Sequence, residues 1–145
     1  GELRLQATET YQGAERSDLN DSARRQLKRA LALRPMGASG WIALGSTYRE
    51  DRDWENAFLA YVRSLSIEER AETDFNIGLV VLAGPNPRKA IPFFRRALWI
   101  LPRLADSLPP AVDADALARE NRETAGRLRD GARPPELPDG LTPGL

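Results

Sequence analysis

The chain has 145 residues with 21 basic and 21 acidic side chains, 41% hydrophobic residues and no formal net charge, the profile of one soluble globular domain. Cysteine and histidine are both absent. That excludes disulfides, thiol nucleophiles, zinc sites built on Cys or His, Ser-His-Asp triads and imidazole acid–base chemistry.

Periodicity and punctuation predict helices near 2–12, 20–34, 38–50, 54–67, 71–83, 87–101 and 113–130, with no strands. Gly13, Pro35-Met36-Gly37, Asp51 to Asp53, Gly84-Pro85-Asn86-Pro87 and Pro109-Pro110 fall between them. Pro87 suits the first helical position behind an Asn86 cap. Pro92 lies about one turn further in, where a missing N–H and a ring clash predict a bent or delayed start. The stretch 113–130 is polar, with Leu117, Ala125 and Leu128 as a sparse apolar face and Gly131 as a terminator, and reads as a capping helix. Residues 132–145 carry Pro134, Pro135, Pro138 and Pro143 and are expected to form a flexible tail.

A shift of 33 residues aligns Leu44 with Ile77, Gly45 with Gly78, Ala57 with Ala90, Tyr61 with Phe94, Ser64 with Ala97, Leu65 with Leu98 and Ile67 with Ile100. A shift of 34 aligns Ala23, Leu27, Ala30, Leu31 and Leu33 with Ala57, Tyr61, Ser64, Leu65 and Ile67. Small residues recur where two helices would cross closely, and large ones recur around the crossing.

Trp41, Leu44, Gly45 and Tyr48 carry the spacing W-x2-L-G-x2-Y, followed by Ala57 and Tyr61. Over about 20–102 the chain resembles the tetratricopeptide repeat, a helix-turn-helix unit of about 34 residues. The second copy keeps Gly78, Ala90, Phe94, Ala97 and the closing Pro102, has Val81 in place of the Tyr and lacks the Trp. The resemblance implies an all-α solenoid over 1–131. Its repeats would be 2–35 (partial), 38–70 and 71–104, capped by 113–130.

In such a stack the first helix of each unit lines a concave surface. This places Ser39, Ile42, Ser46, Arg49, Phe75, Asn76, Leu79 and Leu82 in a groove. The helix 71–83 is apolar on nearly every side and demands cover, from the chain's own 113–130 helix or tail, or from a partner. Chaperone-binding members of the family place Lys and Asn where Ile42 and Ser46 stand here, so a carboxylate clamp is not expected.

Charge is segregated along the chain. Arg24, Arg25, Lys28, Arg29 and Arg34 form one basic run, and Arg88, Lys89, Arg95, Arg96 and Arg103 form another. With zero net charge and aromatics at packing positions, these read as solvated outer faces rather than a nucleic-acid site. Glu68-Glu69 and Asp113-Asp115 read as helix-end residues rather than an acid–base pair. No strand precedes Gly37-Ala38-Ser39-Gly40, so it does not read as a phosphate loop.

The resulting expectation is a non-enzymatic scaffold or adaptor that binds a protein or peptide in its groove, with no cofactor, metal or catalytic residue. The alternative is a structural element that self-associates through 71–83 into a homo-oligomer. The 19 Arg against two Lys fit a GC-rich bacterial genome, and the resemblance extends by analogy to adaptors of envelope assembly such as polysaccharide synthesis or export. A start at Gly1 without a signal-like segment is expected of a soluble part, cytoplasmic or periplasmic, cut from a larger chain. Membrane contact would come only through segments outside this sequence.

Overall fold

The computed structural model describes residues 2–33, 37–139 and 141, with side chains from Arg16 onwards. The described residues are all-helical and contain no strand. The α-helices are α1 (Glu2–Leu33), α2 (Ala38–Glu50), α3 (Trp54–Ile67), α4 (Ala71–Leu82), α5 (Ile91–Ile100) and α6 (Ala114–Gly126). Short 3-10 turns cover Pro87–Ala90, Pro102–Ser107 and Leu128–Asp130.

The first expected break is absent, because α1 runs through Gly13 as one helix of 32 residues. A glycine in a helix interior costs about 1 kcal/mol relative to alanine, less than abandoning a helix and nucleating another. The last turns of α1 pack on α2 and α3, where Leu27 and Leu31 meet Trp41, Leu44, Tyr48 and Ala60. Polar contacts fix the same seam. Asn20 Nδ2 donates to Asp51 Oδ1 at 3.0 Å, Arg24 pairs with Asp51 at 2.7 Å and with Asp21, and the Arg24 guanidinium lies 4.7 Å from the centre of the Tyr48 ring.

The helix pairs α2–α3 and α4–α5 are built alike, and α3 packs on α4 to join them. A Cβ on Gly45 would stand 2.7 Å from Tyr61 Cε1, and a Cβ on Gly78 would stand 2.7 Å from Phe94 Cε1. Both rings are fully buried. The same ring edge therefore occupies the same notch 33 residues apart, and only glycine leaves room for it. Ser64 and Ala97, equivalent in the shift, are also fully buried, and Ser64 Oγ reaches back to Ala38 O at 3.0 Å to tie α3 to the start of α2.

Pro92 has the expected effect. A 3-10 turn at Pro87–Ala90 precedes α5, which starts at Ile91 with Pro92 in its first turn, where its missing N–H costs nothing. Asn86 makes no side-chain cap, whereas Asp53 and Asp113 do, accepting from Asn56 N at 3.3 Å and Ala116 N at 3.0 Å. The expected helix 113–130 divides into α6 and the 3-10 turn Leu128–Asp130, which ends at Gly131 with φ 91°. Helix α6 is held to α5 by Arg95, whose Nε donates to Asn121 Oδ1 at 3.1 Å and Nη2 to Thr124 Oγ1 at 2.6 Å, while Asn121 Nδ2 returns a bond to Arg95 O at 3.0 Å.

Besides the Leu31, Leu44 and Ala60 cluster at the α1 seam, the described residues form two larger core clusters. One gathers Ile42, Ala57, Tyr61, Leu65, Ile77, Val80 and Phe93, and the other Phe75, Ala90, Phe94, Ala97, Leu98, Val112 and Leu117. The segment expected as a flexible tail touches the body at described positions. Residues 132–139 have no helix or strand, yet Pro135 is buried and Leu137 and Leu141 pack on the first cluster. Their apolar side chains find a surface that the composition of the tail does not reveal. The expected boundaries at Arg34-Pro35 and residues 142–145 lie outside the described residues.

Candidate functional site

The predicted groove residues lie on α2 and α4, and most of them make contacts within the fold. Ser39 is exposed and its Oγ accepts from Arg70 Nη1 at 2.9 Å. Ile42 turns into the first core cluster. Ser46 Oγ bonds the Tyr61 hydroxyl at 2.9 Å. Burial pushes the Tyr61 phenol up, so it stays neutral at ordinary pH. Arg49 Nη1 donates to Asn76 Oδ1 at 3.0 Å, which links α2 to α4 and brings two of the predicted residues together.

Phe75 is buried edge-on against Phe94, with ring centres 5.4 Å apart at 68°. Leu79 and Leu82 are half-buried and pack against the second cluster, as do Leu104, Ala105 and Leu108. The demand of α4 for cover is thus met in large part from within the chain. The exposed or half-exposed remainder of the predicted face is Ser39, Ser46, Arg49, Leu79 and Leu82, a mixed surface that can offer hydrogen bonds and apolar contact to an extended segment or a helix.

Sequence reasoning missed the most unusual electrostatic feature. Asp74 of α4 is 0% exposed, and neither of its carboxyl oxygens accepts a hydrogen bond from any donor among the described residues; the buried Thr73 hydroxyl beside it also lacks a partner. Glu69, in the turn before α4, pairs through both oxygens with Arg96 of α5, at 3.1 Å from Nε and 2.7 Å from Nη2. Burial, with the neighbouring Glu69 carboxylate, pushes Asp74 up to about 9. Burial also acts to raise Glu69, but Arg96 and the Asp74 proton outweigh it and hold Glu69 below its ordinary value.

The group therefore carries one proton on Asp74, one negative charge on Glu69 and one positive charge on Arg96. Its net charge is zero, the arrangement a buried site tolerates best. A strongly perturbed carboxyl often marks a reactive site. Asp74 is fully buried, and the link between the turn before α4 and α5 is made by Glu69 and Arg96. The available signal was an acidic residue on a helix apolar nearly all round, which leaves its carboxyl no route to water.

The two basic runs also have structural uses. Arg24 anchors α1, Arg95 holds α6, and Arg96 holds Glu69 and donates to Pro135 O at 3.0 Å. Arg34 lies outside the described residues. Of the four carboxylates read as helix-end residues, Glu68 pairs with Arg70 at 3.1 Å, Glu69 joins the buried group, Asp113 caps α6 and Asp115 lies in its first turn. Among the described residues no three His, Cys, Asp or Glu side chains gather as a metal site, and no helix is long and apolar enough to cross a membrane. A cleft of 370 Å³ between α5 and α6 is lined by Leu98, Trp99, Pro102, Ala118, Asn121, Arg122 and Ala125. No protein-family model, curated protein or solved structure matches this chain.

Proposed function

We propose that the chain is a tetratricopeptide-type helical scaffold that binds a segment of another protein on the face of α2 and α4, without catalysing a reaction. The observation that carries this reading is the repeated crossing of Gly45 with Tyr61 and Gly78 with Phe94. The two helix pairs share this notch, α3 packs on α4 to join them and the Arg49–Asn76 bond links their first helices; repeats stacked in a solenoid offer an extended surface rather than a pocket. Ser39, Ser46, Arg49, Leu79 and Leu82 supply that surface, with Ile42, Phe75 and Asn76 supporting it from beneath. An adaptor of bacterial envelope assembly, such as polysaccharide synthesis or export, is the biological setting that family-level analogy favours.

The test is site-specific photocrosslinking in the native host, with a benzophenone side chain placed in turn at Ser39, Ser46 and Leu79 and, as a control, at the exposed Leu59 on α3. The reading requires crosslinks to one common protein from the first three positions and not from the control. Crosslinks only between copies of this chain would support self-association through α4 instead. Labelling indifferent to position would refute both.

A further inference from the structure

The C-terminal segment, without helix or strand over 132–138, touches the body of the protein at three points. Arg96 Nη1 donates to Pro135 O at 3.0 Å, and Leu137 and Leu141 pack on the first core cluster. The Leu141 N–H donates to Pro138 O at 3.2 Å, forming a turn that brings both leucines to one apolar surface. Phe58 of α3, Val81 of α4 and Pro92 and Phe93 of α5 form that surface, and exposed Lys89 stands at its edge.

The segment does not fill its seat. A cleft of 530 Å³ remains between those residues and Pro138, Asp139 and Leu141, and both leucines are only half-buried. A strap serving only to complete the core would reach interior packing density. This contact has instead the character of a peptide laid on a surface.

The chemistry of the seat defines what it accepts. Arg96 is fixed by its two bonds to Glu69, so its Nη1 is already aimed at a backbone carbonyl. Pro135 and Pro138 keep the segment extended and reduce the entropy lost on docking. Glu136 lies within the field of Arg96, and Asp139 borders the same cleft as Lys89.

We propose that this face is a binding groove for an extended, acidic, proline-containing segment of a partner protein, with two apolar side chains four residues apart, and that Pro135, Leu137 and Leu141 of the chain's own C-terminal segment hold it in cis until displaced. The groove is formed by other residues than the α2–α4 face, and it stands whether or not that face binds a partner.

The probe is a fluorescein-labelled peptide with the sequence of residues 132–145, followed by anisotropy. Because a tethered segment competes at an effective concentration on the order of millimolar, the full chain should bind the peptide weakly. The Leu137→Ser/Leu141→Ser chain, verified as helical by circular dichroism, should bind it at least about tenfold more tightly. Adding Phe58→Ser to that background should remove the gain, and a peptide with both leucines changed to serine should not bind. Equal affinity for the wild-type and undocked chains, or indifference to Phe58→Ser, would overturn the proposal. So would a wild-type dimer abolished by Leu137→Ser/Leu141→Ser, because the groove would then take the tail of a second copy.

If the double variant fails to fold, Leu141→Cys provides a single thiol in a chain that has none. A bimane label there should shift its emission to the red when excess unlabelled peptide displaces the tail. No shift at saturating peptide would likewise overturn the proposal.

Discussion

Replacing Asp74 with Asn should alter how stability depends on pH. Burial beside the Glu69 carboxylate pushes the Asp74 carboxyl up to about 9 in the folded chain, against about 3.9 for an unfolded Asp. Between those values the folded chain keeps a proton that the unfolded chain releases. Stability is therefore highest below the unfolded value and falls as pH rises, by about 1.4 kcal/mol per unit, until the folded group itself ionises near 9. From about pH 5 to about pH 8 the wild type should lose about 4 kcal/mol through this one group. Asn fills nearly the same volume, can donate to Glu69 and does not titrate, so its advantage over wild type should grow by about 4 kcal/mol across that interval, or roughly 10 °C in Tm.

Two features isolate the effect. The chain has no histidine, so no other side chain with an ordinary pKa titrates there. Glu69 is held below its ordinary value, and the stability it contributes is lost only as pH falls through its folded pKa, below this interval. Urea unfolding followed by circular dichroism at several pH values measures the difference directly. Parallel midpoints for the two proteins would refute the argument, since they would mean that Asp74 is ionised in the fold or already reaches water.

Gly45→Ala and Gly78→Ala should each destabilise by about 1–3 kcal/mol despite the better helix propensity of alanine, because the new methyl meets a fully buried ring; thermal melts check this, and a neutral result would mean that the rings can move. Phe94→Ala should cost about 3–5 kcal/mol in denaturant unfolding, and Tyr61→Ala a similar amount while also stranding the Ser46 hydroxyl. Arg95→Ala should cost about 1–2 kcal/mol and raise amide exchange along α6 ahead of α4, since Arg95 makes the side-chain bonds to Asn121 and Thr124; uniform exchange would deny α6 that dependence.

Helix content and the small-against-large crossings were legible in the sequence because they are local. Capping residues, prolines and a 33-residue recurrence of Gly, Ala and aromatic positions follow from backbone sterics and from the diameter of a helix, whatever the rest of the chain does. Gly13 misled because helix breaking by glycine is a matter of about 1 kcal/mol, which neighbouring helix formers override. Placing a groove from sequence requires the rotation of α2 and α4 about their axes, which repeat spacing leaves open. Only tertiary packing decided that Ile42 and Phe75 turn inward while Arg49 reaches Asn76. The Asp74, Glu69 and Arg96 group joins residues up to 27 positions apart, and the docking of Leu141 beside Phe58 joins residues 83 positions apart. Proton affinity and burial depend on the neighbours that the fold supplies, and no periodicity along the chain encodes which carboxyl loses its water or which leucine finds a surface.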